Sequence, residues 1–325
     1  MRRREFISLL GGALATSPLA ARAQQSAIPV IGYFALGSAA DFENLTAAFE
    51  RGVSELGYVK GKNLAIEYRF VGWRPELLPQ AINDLVRLNV SVIVALGPDN
   101  VAAASKVRTG IPIVGMDLEN DPVANGYVES LGRPGGNFTG IFLDIPELSG
   151  KQVGLLKEIV PQLSRIAIFG VPVLNALQFA ESEKAARMLA VEAELMEVRA
   201  SGDFEGAMEA AKARRAEAGI LLSSPIAYLS STRIAELALA KRLPLISLFA
   251  EFPKAGGLLA YGPDVEDLFR QCGVYVGKVL NGAKPSDLPI QRPAKFDLVI
   301  NLKTAKTLGV SVPPVLLATA DEVIE

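Results

Sequence analysis

Short, nearly uninterrupted apolar runs recur along this chain, and they constrain its fold more than any other feature. The prominent runs lie at 29–34, 90–96, 111–114, 166–169, 219–222 and 244–249. Parallel strands covered on both faces show such continuous Val, Ile and Leu runs, whereas half-exposed strands alternate. Between the runs, apolar residues recur at three- and four-residue steps, as at Phe42, Leu45 and Phe49. Strands alternating with helices predict an α/β fold made of doubly wound, Rossmann-like parallel sheets.

The length and an internal similarity predict two lobes. A chain of 325 residues exceeds the usual size of one domain. The segments 89–114 and 217–246 share one pattern, in which a strand, a small-residue and proline loop and a helix precede an X-Pro strand. Glycine and proline clusters at 132–140 and 254–257 mark expected crossings between lobes. The predicted boundaries are 28–142 plus about 258–284 for lobe one, and 143–257 plus about 285–325 for lobe two.

The first residues have the pattern of an export signal. Arginines at positions 2–4 precede an uncharged apolar run at 6–20, and Ala21-Arg22-Ala23 provides small residues for cleavage. The run is too short to span a bilayer. The Arg3-Arg4-Glu5-Phe6 arrangement resembles a twin-arginine signal, and the alternative is a general-secretion signal with an arginine-rich head. We expect cleavage of residues 1–23 after Ala23 and a soluble protein in the periplasm.

The composition excludes several kinds of chemistry. The chain has no histidine, which removes Ser-His-Asp and Cys-His catalysis and zinc sites built on imidazole. Its sole cysteine, Cys272, is interpreted as a small buried residue, with a reactive thiol as the alternative. Neither a dinucleotide-binding nor a P-loop glycine motif is present. A net charge of −2 without a basic run argues against nucleic-acid binding. We therefore expect no cofactor, no metal and no enzymatic activity.

Several segments carry a resemblance that covers the chain from its signal to its last residues. They lie at 55–64, 66–69, 133–137, 255–258, 261–262, 296–306 and 320–325. With them the chain resembles the ABC-transporter substrate-binding proteins of the tryptophan/tyrosine-binding type. The resemblance implies the type 1 periplasmic binding protein fold, with two lobes joined by a multi-strand hinge. It also implies a monomer that delivers a small solute to an inner-membrane ABC permease.

The chain departs from the pattern of that family at loops that follow strands. Gly170-Val171-Pro172 lacks the usual asparagine, and Ser224-Pro225 replaces Asp-Pro. Ala250-Glu251-Phe252 replaces Arg-Glu-Phe, and Asn120 replaces a glycine. Ligands of open α/β sheets bind at the carboxyl ends of strands. The predicted ligand-binding residues at such ends are Ser38, Gly97, Pro98, Asp117, Val171, Ser223, Ser224, Glu251 and Tyr261.

The resemblance implies an amino-acid-like or aromatic solute, and the loops hold groups that could contact one. Asp117 and Glu251 are candidates to hold an ammonium group, and helix N-termini suit a carboxylate. The candidates to flank an apolar body are Phe34, Phe142, Phe249 and Tyr261. Each has a simpler alternative: Ser38, Asp99 and Asp117 as helix caps, Glu251 as a solvated side chain, and Phe34 and Phe249 as core.

The sequence thus predicts a periplasmic solute receptor. Two alternatives stay open at this point. One is a sensory module that presents its ligand to a membrane receptor. The other is an enzyme on the same fold, which the missing cofactor motifs and missing histidine disfavour.

Overall fold

Two separate sheets form the centre of the protein in the computed structural model, which describes residues 28–325. The predicted signal peptide lies outside the described residues. The first sheet is parallel throughout and has the strand order β2-β1-β3-β4-β5. Its strands are β1 Val30–Ala35, β2 Ala65–Phe70, β3 Val92–Leu96, β4 Ile113–Asp117 and β5 Phe138–Phe142.

The second sheet has seven strands in the order β12-β11-β10-β9-β8-β6-β7. Only the β10–β11 pair is antiparallel. The strands are β6 Arg165–Gly170, β7 Glu192–Glu197, β8 Ala218–Leu221, β9 Leu245–Ser247, β10 Leu259–Gly262, β11 Asp297–Asn301 and β12 Glu322–Ile324. The two sheets correspond to the two lobes, which confirms the predicted fold class.

Helices cover the sheets, as the spacing of apolar residues predicts. Those that follow strands of the first sheet are α1 Glu43–Glu55, α2 Leu78–Arg87 and α3 Pro98–Ser105. Those of the second half are α4 Ile145–Ile159, α5 Ala176–Met188, α6 Asp203–Ala213, α7 Pro225–Leu229, α8 Ser231–Ala240, α9 Glu251–Lys254, α10 Val265–Leu280, α11 Leu302–Leu308 and α12 Pro314–Thr319. None of the helices within residues 28–325 is long and apolar enough to cross a membrane.

Two of the expected crossings between the lobes, near Leu258 and near Pro285, lie at other points of the chain. The return to lobe one near Leu258 comes later, because β10 pairs with β9 and β11 in the second sheet. The last crossing near Pro285 also comes later. Gln291 still hydrogen-bonds with Gly140 and Phe142 of β5, so the chain leaves lobe one only after this residue.

Helix α10 lies against α1 of the first lobe at very short range. A Cβ atom on Gly52 would lie 1.8 Å from the Arg270 carbonyl oxygen, and one on Gly273 would lie 2.2 Å from that of Phe49. Only glycine permits this approach of the two backbones. Cys272 is fully buried in the same contact, and burial raises the pKa of its thiol to about 12. The prediction of an inert buried cysteine is consistent with this environment.

Candidate functional site

A cleft of about 840 Å³ lies between the lobes, at the carboxyl ends of strands from both sheets. Lobe one contributes the segments after β1, β2 and β3, together with Asn120 and Tyr127. Lobe two contributes the segment 171–174 after β6, 199–201 after β7, and the start of α7. This is the position at which open α/β sheets bind ligands.

Three of the predicted site residues line this cleft: Gly97, Pro98 and Val171. Gly97 has a φ of +91°, which glycine adopts without strain. This conformation turns the chain from β3 directly into α3, whose first residue is Pro98. The strand-end rule thus leads to three residues that line the cleft, and their contact with a ligand stays a prediction.

Ser38 lies beside the cleft and forms two hydrogen bonds with Asp41. Its backbone N–H donates to Asp41 Oδ2 at 2.8 Å, and the Asp41 N–H donates back to Ser38 Oγ at 3.3 Å. Asp41 also accepts a hydrogen bond from the indole of Trp73 at 2.9 Å. Ser38 thus positions an acidic residue that lines the cleft.

Asp117 does not reach the cleft, contrary to the expectation that it faces a ligand ammonium. Its side chain is fully buried and accepts hydrogen bonds from the backbone of Glu119 and from the backbone and amide of Asn120. Burial raises the pKa of Asp117, and these hydrogen bonds oppose the shift. The carboxylate shapes the loop after β4. No helix lies between β4 and β5, so its alternative role as a helix cap is not observed either.

Glu251 and Tyr261 also lie away from the cleft. Glu251 borders a separate depression of about 310 Å³, together with Asp264 and Lys295. The ring of Tyr261 stacks on Phe296 with centroids 5.7 Å apart. Glu251 was expected at the cleft because it follows β9, and Tyr261 because it lies near the expected return to lobe one. Tyr261 lies within β10, and neither residue lines the cleft.

Three of the four predicted aromatic side chains belong to the core. Phe34, Phe142 and Phe249 are at most 4% exposed. Phe34 and Phe249 are therefore core residues, which was the alternative stated for them, and Phe142 is a core residue as well.

Aromatic residues that sequence analysis did not select form one wall of the cleft. Phe42, Trp73 and Tyr127 line it, and the rings of Phe42 and Trp73 lie 6.4 Å apart. Trp73 follows β2, a strand without a continuous apolar run, so its loop was not recognised as a strand end. Its positive φ of 61° is unusual for a bulky residue and marks a constrained position.

Hydrogen bonds join the two lobes at the base of the site. Ser223, after β8, donates to Glu119 Oε1 of lobe one at 2.6 Å. Gln178 Nε2 of α5 donates to the Leu118 carbonyl at 3.2 Å, and Gln178 Oε1 accepts from the Ser223 N–H at 2.9 Å. Burial, reinforced by the nearby charge of Asp117, raises the pKa of Glu119 well above its usual range. The described conformation is therefore one in which the lobes are in contact.

Ser224 starts α7 and caps it. Its Oγ accepts from the Ala227 N–H at 3.1 Å, and its side chain is nearly inaccessible. It thus supports the lobe-two wall, to which Pro225 and Ile226 contribute directly.

Two α/β lobes with a cleft at their strand ends define a binding protein of the type 1 periplasmic class. The chain belongs to the ABC transporter substrate binding protein family, whose model matches residues 40–324. A curated relative, the tyrosine-binding protein of Clostridioides difficile strain R20291, is 23% identical over 275 residues. The match covers 80% of this chain and 75% of that protein.

Solved structures share the fold. An ABC domain from Streptococcus pneumonia in complex with L-Trp has a TM-score of 0.82 at 21% identity, and a conserved domain protein from Vibrio cholerae has 0.82 at 24%. A ligand-free, open substrate-binding protein from Clostridium difficile has a TM-score of 0.68 at 20% identity. Each match covers 91% of this chain and 99% of the other. The chain is thus a substrate-binding protein of the ABC transporter family, as the sequence predicted.

Proposed function

We propose that the protein encloses one small solute with an apolar or aromatic body in the cleft and delivers it to an inner-membrane ABC permease. The observation that carries this proposal is the cleft of about 840 Å³ between lobes that hydrogen bonds hold together. Its aromatic wall supplies apolar surface, and its strand-end loops supply polar groups, as small-molecule sites require. The ligands of the two relatives, tyrosine and L-Trp, support an aromatic or amino-acid-like solute.

Solute binding should change the fluorescence of the protein. Trp73 is the only tryptophan of the chain, and it lines the cleft. A solute that excludes water from this wall alters the environment of the indole, so a solute library can be screened by tryptophan emission. Trp73→Phe must abolish the signal. If calorimetry detects a bound solute that leaves the emission of Trp73 unchanged, the solute lies outside this cleft.

We propose that the protein is a carrier and not an enzyme. Ser201 and Ser230 line the cleft and hydrogen-bond to each other at 2.9 Å, and the chain has no histidine to activate either hydroxyl. A solute recovered from the complex should have its original mass. A changed mass would show that the cleft catalyses a reaction.

We further propose that residues 1–23 direct export to the periplasm through the twin-arginine route. N-terminal sequencing of the periplasmic protein should begin at Gln24. Changing Arg3 and Arg4 together to lysine should block export, because the twin-arginine receptor requires the pair. Export that tolerates the change indicates general secretion, and a retained Met1 would contradict cleavage.

A further inference from the structure

We propose that the solute is an organic amine without a carboxylate, and that its cationic nitrogen lies against Asp99 on the lobe-one wall. This inference rests on the proposed function and narrows its solute class.

Asp99 is a carboxylate at the cleft without a protein partner. It lies in the first turn of α3 and lines the cleft. Within residues 28–325, no group donates a hydrogen bond to its side chain. Partial burial raises the pKa of this carboxyl group. The second cleft carboxylate, Asp41, already accepts from Ser38 and Trp73. Asp99 is therefore the carboxylate that is available to a ligand.

Two amide oxygens extend the acceptor character of the same wall. Asn100 is only 2% exposed; its Nδ2 donates to the Leu96 carbonyl, and its Oδ1 has no partner among the described residues. Asn120 donates through Nδ2 to Asp117 Oδ2 at 2.8 Å. This bond uses one of the two Nδ2 hydrogens and fixes the amide, and no described residue donates to its Oδ1, which is free to accept from a ligand. A buried acceptor without a partner is costly, and a donor on the ligand would satisfy it.

The cleft offers little to a carboxylate. Arg199 is the only basic residue among its lining residues, and it is exposed and paired with Glu197 at 3.2 Å. The N-terminus of α3 would ordinarily attract an anion, but Asp99 in its first turn offsets the helix dipole. An anionic or zwitterionic solute would thus place its carboxylate near two carboxylates, Asp41 and Asp99, without an unpaired cation to offset them.

The opposite side of the cleft suits an apolar body. Ile226 and Leu229 of α7 face the cleft from lobe two, and Phe42 and Trp73 line it from lobe one. Aromatic faces beside a carboxylate favour a cation attached to a flat or aliphatic body. An arylalkylamine has this combination.

The test compares ligands that differ only in charge. Phenylethylamine, phenylalanine and phenylacetate share one body, and tryptamine, tryptophan and indole-3-acetate share another. Titration calorimetry of the mature protein should show the amine of one set binding at least about tenfold more tightly than its amino acid and its acid. A charge-assisted hydrogen bond stabilises by about 1.5–3 kcal/mol, so Asp99→Asn should weaken amine binding by about ten- to a hundredfold. Glu158→Gln, an exposed position on α4, is the matched control and should have no effect.

The remaining outcomes separate this inference from the proposed function. Tighter binding of an amino acid or acid, or amine binding that Asp99→Asn leaves unchanged, overturns the inference and leaves the receptor function intact. If neither set binds, the test uses the solute found in the library screen. A solute with a basic nitrogen whose binding is weakened by Asp99→Asn supports the inference, and any other solute overturns it. If no solute from the library binds, the proposed function fails, and the inference falls with it.

Discussion

Gly52→Ala should destabilise the protein by about 3 kcal/mol. The added Cβ would lie 1.8 Å from the backbone oxygen of Arg270, so α1 and α10 must separate. Overpacking of a tight contact typically costs about 1–3 kcal/mol, and a rigid backbone atom as the obstacle places this substitution at the upper end. Denaturant unfolding monitored by circular dichroism measures the change.

Gly206→Ala is the matched control for this experiment. Gly206 also lies inside a helix, α6, but a Cβ there would meet no atom within 4 Å. Alanine has the higher helix propensity, so this variant should be stabilised by up to about 1 kcal/mol. Equal unfolding midpoints for Gly52→Ala and the unchanged protein would contradict the close packing of α1 on α10.

Ser223→Asp should prevent the lobes from closing. Ser223 is buried and donates at 2.6 Å to Glu119, which lies beside Asp117. A third buried carboxyl group here must either carry a charge without a cation beside it or stay protonated above its usual pKa, and an uncompensated buried charge costs several kcal/mol. Because each 1.4 kcal/mol is a factor of ten, solute affinity should fall by at least about a hundredfold. Titration with a solute from the library measures the loss.

Ser223→Asn separates the effect of charge from that of size. Asparagine has nearly the shape of aspartate but no charge, so it should weaken solute binding by less than about tenfold. Both variants should keep the melting temperature of the open protein, since the side chain lies between the lobes. Similar affinities for the aspartate and asparagine variants would mean that Glu119 and Ser223 do not control closure.

The central strands could be predicted from the sequence because both of their faces are buried. Strands β3, β6 and β8 are apolar runs whose apolar residues are buried and belong alternately to two different core clusters. Edge strands β2 and β7 were missed because their two faces are not both buried. Their residues are half-buried or alternate between buried and exposed, as in Glu192–Glu197, and such segments lack an uninterrupted run.

The candidate site could be predicted only in part. Ligands of open α/β sheets bind at the carboxyl ends of strands, and strand ends can be read from the sequence. This rule led to Gly97, Pro98 and Val171, which line the cleft. It could not show which way each side chain points. Asp117 turns inward to its own loop, while Asp99, for which a helix cap was the alternative, lines the cleft. Trp73 was missed because its preceding strand is an edge strand.

The most direct test of the central claim is small-angle X-ray scattering with and without a saturating solute. Closure of the lobes on a solute predicts a larger radius of gyration for the solute-free protein. With solute, the profile should match the conformation in which Ser223 and Glu119 are in contact. At a solute concentration that saturates the unchanged protein but not the variant, Ser223→Asp should keep the scattering profile of the open form. A profile that does not change while calorimetry confirms binding would contradict closure of the two lobes on a solute.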